Sequence, residues 1–194
     1  MGKGEDTKAA IVDQALNLVS TVGLEKLTIG ALASATGMSK SGLFAHFDSK
    51  EQLQLQVLDE ARKRFVDAVI APALKKPRGE ARIRALFENT MQKWETALPG
   101  GCVFSAVAAE LDDQPGPARD YLVEVQKDYQ DVVKRAAQVA IDVGEFRKNL
   151  DLGQFAFEFG SITAAYHHFG RLLHDSRAEQ HAYSAFEALL SRSH

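Results

Sequence analysis

The chain has 194 residues, of which 45% are hydrophobic and 25% charged, and its formal net charge is -3. That length and composition support a sizeable core, in one large domain or in a small domain joined to a medium one. No apolar run is long enough to cross a bilayer, and the lone Cys102 excludes an internal disulfide or a cysteine-only metal site in the monomer. The first residues lead straight into an amphipathic pattern with no signal-peptide core, so a cytoplasmic location is expected. The charge balance does not advertise a nucleic-acid binder. In the first fifty positions Lys3, Lys8, Lys26, Lys40 and Lys50 are matched by Glu5, Asp6, Asp13, Glu25 and Asp48. DNA binding must therefore rest on where the charges sit.

Residues 7–22 are predicted as a first helix, with Ile11, Ala15, Leu18, Val19 and Val22 on its buried stripe and Gly23 at its end. Thr28 is suited to cap a short helix, on which Ile29, Leu32, Ala33 and Thr36 share a face. Gly37 suits the left-handed residue that ends it. Ser39 is a second N-cap, with Leu43 and Phe47 on the buried side of the helix it starts. Short helix, glycine turn, short helix is the helix-turn-helix arrangement. Three helices completed by Phe47 make a unit of roughly fifty residues, small for independent stability. It is expected to lean on the next helix.

That helix is predicted over 49–70, opened by Asp48 and Glu51 at capping-box spacing. Leu53, Val57, Ala61, Phe65 and Ala68 mark its apolar face, and Ala71-Pro72 is expected to break it. A helix over 80–98 turns Ile83, Leu86, Phe87, Thr90, Met91 and Trp94 inward, and Pro99-Gly100-Gly101 stops it. Residues 102–111 form an alanine-rich helix that is apolar almost all round. Pro117 opens a long helix that Gly144 ends. The last two helices cover about 151–173 and 176–192. The first carries an aromatic stripe beside a small-residue stripe, Ala156, Gly160 and Ala164, suited to close helix approach. No strand pattern survives. The expected fold is all-α, about nine helices, with a helix-turn-helix head at 1–48 and a larger helical core at 49–194.

Lys40 follows the cap of the second short helix, where side chains project toward base edges and lysine can donate to guanine O6 and N7. Ser39 and Ser41 can donate to phosphate or base, although Ser39 can equally act only as a cap. Gly42 allows close backbone approach to DNA. Phe44 can meet a thymine methyl or a sugar, or else belong to the core. Lys50, in the first turn of its helix, is poorly placed for helix stability and well placed for a phosphate. Thr28 can combine capping with a phosphate contact. Most aromatics after residue 80 are expected to pack. Met91, Trp94, Phe104, Tyr121, Phe159 and His167 are the candidates for lining a small-molecule pocket. His167 and His174 lie seven apart, too far for one ion on a straight helix, so neither a metal nor another cofactor is expected. Cys102 is expected to be small and buried. No nucleophile–base pair or phosphate-cradling loop points to an enzyme.

Residues 24–51 resemble the TetR family of bacterial transcriptional regulators, through Thr28, Leu32-Ala33, Gly37, Met38-Ser39, Leu43-Phe44, His46-Phe47 and Lys50-Glu51-Gln52-Leu53. Detailed matching covers about the first 55 residues, and beyond them only helix count and order agree. The resemblance implies a homodimer with two DNA-reading heads, a ligand-binding core, and a phosphate contact from His46. It implies a repressor released from double-stranded operator DNA by a small-molecule effector, with helix 49–70 as the lever. The last two helices then supply the dimer interface, with Phe155, Phe159, Ile162, Tyr166, Ala182, Phe186 and Leu189 as candidates. Two departures thin the contact set. Phe44 replaces the family's usual tyrosine, and Gly30 replaces a larger residue. Base readout is expected to rest on few side chains, Lys40 foremost. The alternative, supported by the neutral head, is a small-molecule-binding helical protein with a vestigial DNA head.

Overall fold

A computed structural model describes residues 3–194, except for the side chains of Lys3 and Phe44. Every regular element among the described residues is helical. The elements are α1 (Lys3–Val22), α2 (Ile29–Thr36), α3 (Lys40–Phe44), α4 (Lys50–Phe65), α5 (Glu80–Asn89), α6 (Val103–Leu111), α7 (Pro117–Asp142), α8 (Leu152–His167) and α9 (Ala178–Ser193). Three of them run directly into wider π-helical turns. Val66–Ile70 follows α4, Thr90–Trp94 follows α5, and His168–Leu172 follows α8.

The π turns explain one difference from the sequence reading. Helical structure continues past Pro72 to Leu74 instead of breaking there. Proline lacks an N–H and removes an α-helical bond. Here it follows a turn already wound in the wider π pattern, where the regular ladder is interrupted in any case. The buried position also moves. Val69 is buried and Ala68 only half-buried. The amide of Asn89 donates to the Val69 carbonyl at 3.1 Å, which satisfies both groups inside the protein.

The cap of α4 is likewise one residue on from the predicted pair. Ser49 Oγ accepts from the Gln52 N–H at 3.0 Å, and Gln52 Oε1 accepts from the Asp48 N–H at 2.9 Å. The serine takes up one free N–H of the first turn, and the glutamine ties the preceding Asp48 to the helix, also donating to its carboxylate at 3.1 Å. Glu51 takes no part in these bonds.

The chain divides into two compact units. The first runs to Phe65 and takes in Thr96–Val125. The second comprises Val66–Glu95 and Gln126–His194. In the first unit α1 packs against α2, α4 and α6, so it needs a wide apolar face. Its buried residues are Ile11, Val12, Ala15, Leu16 and Val19, while Leu18 and Val22 of the predicted stripe are only half-buried. The three-helix head therefore leans on α6 as well as on α4.

The α1 end is docked backbone to backbone. The Gly100 N–H donates to Ser20 Oγ at 3.0 Å, and a Cβ on Gly100 would lie 1.6 Å from the Ser20 carbonyl oxygen. Gly100 thus does more than end a helix. Gly100→Ala is expected to lower the urea midpoint, costing about 1–3 kcal/mol as overpacking does. An unchanged midpoint would mean that the 98–101 turn moves aside freely.

In the second unit Phe87 stacks on Phe186, with ring centroids 4.0 Å apart, and Phe159 meets both edge-on at 5.9 Å. Arg84 joins α5 to α9 by paired bonds to Glu187, and its Nε donates to Glu80 at 2.6 Å. The guanidinium holds the Glu187 carboxyl below its usual range. Cys102, expected to be buried, is half-buried at the cap of α6. No described helix is long and apolar enough to cross a membrane.

Candidate nucleic-acid interface

The two short helices are shaped by their caps. Thr28 Oγ1 accepts from the Ala31 N–H at 3.0 Å and starts α2. Gly37, at φ 68°, ends it in the left-handed region that costs other residues about 1–2 kcal/mol. Ser39 Oγ accepts from the Gly42 N–H at 3.1 Å and starts α3. Leu32, Leu43 and Phe47 are buried beneath this turn. Lys8 from α1 sits over the Phe47 ring, 5.5 Å from its centroid.

The outward face is then set. Ser39, Lys40 and Ser41 are exposed at the start of α3. Ser41 Oγ lies 3.2 Å from Ser39 Oγ, so the two hydroxyls face one another as well as solvent. A Cβ on Gly42 would come within 3.2 Å of Ser39 Oγ and crowd the cap. Gly42 therefore keeps the cap intact, whatever its role against DNA. The stem of Lys40 lies beside Gly30, its Cε 3.9 Å from where a Cβ on Gly30 would stand. The two residues thus meet in space, and the small one leaves the lysine stem room to move.

His46 is half-buried, with its ring centroid 6.5 Å from that of Phe47. Lys50 is already engaged, because its ammonium donates to the Glu25 carbonyl at 2.7 Å. Two of its three donors remain. The Phe44 side chain lies outside the described residues.

Sequence reasoning missed Glu110. Its Oε2 accepts from the Leu24 N–H at 2.7 Å, across 86 residues of chain. Nothing local to Glu110 marks this partner, since the contact exists only once α6 lies on α1.

The pocket candidates divide between the units. Phe104 and Tyr121 belong to the first. Phe104 meets Phe65 edge-on at 6.0 Å, and the Tyr121 hydroxyl donates to Asp59 at 2.9 Å. Lys63 and then Tyr121 hold the Asp59 carboxyl below its usual range, against the opposing effect of burial. Met91, Trp94, Phe159 and His167 belong to the second unit. The first three are buried, and His167 Nδ1 pairs with Glu95 Oε2 at 3.0 Å. Nearby, Thr90 Oγ1 in the π turn after α5 and the Tyr129 hydroxyl on α7 share a 3.0 Å hydrogen bond.

The interface candidates differ in how far the chain's own packing covers them. Phe155, Phe159, Ala182, Phe186 and Leu189 are buried inside the chain's own core, and Ile162 and Tyr166 are half-buried. Phe155 and Phe159 of the α8 stripe are taken up by packing within the second unit, while Ile162 and Tyr166 line an open groove. What α8 turns outward is Phe157, Ser161, Ala164 and Ala165, followed by Phe169 and Leu172 in the π turn. Phe157 and Leu172 are both 67% exposed. Gly160 has open space where a Cβ would be, so no helix of this chain approaches closely there. An apolar groove of about 350 Å³ lies between the last two helices, lined by Ile162, Ala165, Phe169, His181 and Ala185 among others.

Comparison with known proteins finds two family models along the chain. The model for bacterial regulatory proteins of the tetR family matches residues 11–57, and that for a Tetracyclin repressor-like C-terminal domain matches 79–186, more than half of the chain. The chain belongs to the TetR family. It is a DNA-binding transcriptional regulator and not an enzyme. The HTH-type transcriptional repressor KstR2 of Rhodococcus jostii (strain RHA1) is 26% identical over 161 residues, 81% of this chain and 76% of that protein. A TetR transcriptional regulator from Chloroflexus aurantiacus J-10-FL superposes with a TM-score of 0.87 at 28% identity, covering 98% of this chain and 96% of that one. AibR, solved with isovaleryl coenzyme A and operator DNA, shares the fold with a TM-score of 0.73 at 22% identity, covering 91% and 94% of the two chains.

Proposed function

We propose that this TetR-family chain is a cytoplasmic, homodimeric repressor that a small molecule releases from a pseudo-palindromic operator. The observation that carries the reading is the capped α2–α3 pair with Lys40 and two serines exposed at the start of α3. In this motif the second helix enters the major groove. Lys40 is assigned to base edges. Thr28, Ser39, Ser41, His46 and Lys50 are assigned to phosphates, with Gly42 at the closest backbone approach.

Dimerisation is supported by the uncovered apolar face of α8 and its π turn, a stripe about 22 Å long at 1.5 Å per residue. Between the large Phe157 and Phe169, the exposed Ser161, Ala164 and Ala165 are small, which allows two helix pairs to approach there. The effector is assigned to the second unit, near Met91, Trp94, Phe159 and His167. Its support is a largely apolar core holding two internal polar pairs, Thr90 with Tyr129 and Glu95 with His167. Release from DNA then requires that the ligand bind one arrangement of these pairs more tightly than the other. AibR gives a precedent for a small molecule and operator DNA on this fold.

The test is titration of a labelled fragment from the gene's own upstream region. Sequence-preferring binding is expected, with log K falling linearly in log salt by about 0.9 per phosphate contact. Binding that ignores both sequence and salt would remove the reading.

A further inference from the structure

The geometry points to Glu110 as a positioning residue for DNA reading, an inference that rests on the DNA-binding role. From α6 its carboxylate holds the turn between α1 and α2, and through that turn it sets the angle at which α2 and α3 are presented.

The turn begins at Gly23, whose φ of 85° lies in the left-handed region. A Cβ there would fall 1.7 Å from Glu110 Oε1, so the carboxylate occupies the space that a larger residue would take. Glu110 Oε2 accepts from the Leu24 N–H at 2.7 Å and more weakly from the Glu25 N–H at 3.4 Å. The two carbonyls of the same residues are also held by side chains. Gln54 donates to the Leu24 oxygen at 3.1 Å, and Lys50 to the Glu25 oxygen at 2.7 Å. All four backbone groups thus meet side chains from α4 or α6.

This arrangement matters because the turn leads straight to Thr28, the cap of α2. Leu24 and Leu27 are fully buried, so the turn moves with its anchors and not independently of them. A displacement of the Glu110 carboxylate therefore shifts the start of α2, and the tight Gly37 turn passes that shift to α3. A carboxylate accepting two successive N–H groups is also a stronger tie than a neutral contact.

The test compares the full-length unmodified protein with Glu110→Ala and Glu110→Gln. Each is titrated with the upstream operator fragment and with an unrelated duplex of equal length. For Glu110→Ala, operator affinity is expected to fall by about tenfold, the scale of losing one charge-assisted bond. Affinity for the unrelated duplex is expected to stay within twofold, and amide exchange to rise at Leu24 and Glu25. Glu110→Gln keeps an acceptor oxygen and is expected to recover operator affinity to within about threefold of the unmodified protein. Equal operator binding by the alanine variant would overturn the assignment. So would parallel losses on both duplexes, which mark a general folding defect, or a glutamine variant no better than alanine. If the unmodified protein itself prefers no operator, it is the DNA-binding reading that falls, and the same titration tells the two failures apart.

Discussion

Phe157→Glu is expected to turn dimers into monomers while each chain stays folded. Phe157 is 67% exposed in the single chain, so glutamate there meets water and costs the monomer within about 0.5 kcal/mol. In a two-fold interface the substitution enters twice, and each copy places an unpaired carboxylate against an apolar surface. Losing a central aromatic contact alone costs about 2 kcal/mol or more, so dimer affinity should fall by a hundredfold or beyond. Sedimentation velocity at micromolar protein, with far-ultraviolet circular dichroism on the same samples, reads both quantities. Phe159→Glu is the contrasting variant. Phe159 is 1% exposed and packed against Phe87, Tyr129 and Phe186. A charge at that site is expected to cost more than about 4 kcal/mol and to unfold the second unit. A folded, dimeric Phe157→Glu protein would place the dimer surface elsewhere.

Lys40→Ala is expected to cost about 1–3 kcal/mol of operator affinity and to relax the preference at one base position. Lys40 is the one long cationic side chain in α3, and it stands exposed directly after the Ser39 cap. The neighbouring serines are short and lie within 3.2 Å of each other, so they reach less far. His46→Ala separates the two kinds of contact. If His46 meets a phosphate, its loss weakens binding to every sequence alike and lowers the salt slope by about one. A Lys40→Ala protein with unaltered base preference would move readout to another side chain. Binding titrations against single-base operator variants, at two or more salt concentrations, decide it.

Much of the head was legible because its signals are local. Thr28, Gly37 and Ser39 act on backbone groups within three residues, so residue type and spacing suffice to place them. The α4 cap shows the limit of that reasoning. Two overlapping pairs, Asp48 with Glu51 and Ser49 with Gln52, both have the right spacing, and only the structure selects the second. The π turn before Pro72 was not legible either. Proline marks an interruption, but whether the chain leaves the helix or merely widens it depends on what packs around it. Here the Asn89 amide meets a carbonyl of the widened turn.

The stripe on α8 makes the same point for the interface. Periodicity identified Phe155, Phe159, Ile162 and Tyr166 as one apolar face, but it could not say which partner covers that face. The structure puts Phe159 against α5 and α9 of the same chain and leaves Phe157, Ala165 and Leu172 outside. A hydrophobic pattern reports that a surface must be buried, and it carries no record of whether the cover is internal or a second molecule.

By itself the sequence determined the all-helical class, the order of the helices and the helix-turn-helix with its family, because caps, glycine turns and apolar periodicity act over a few residues. Only the tertiary structure decided what the head rests on, which faces of the last two helices remain uncovered, and how Glu110 and Gly100 grip the end of α1. Those contacts join residues some eighty positions apart. Such pairs are chosen by packing geometry, and no spacing along the chain encodes them.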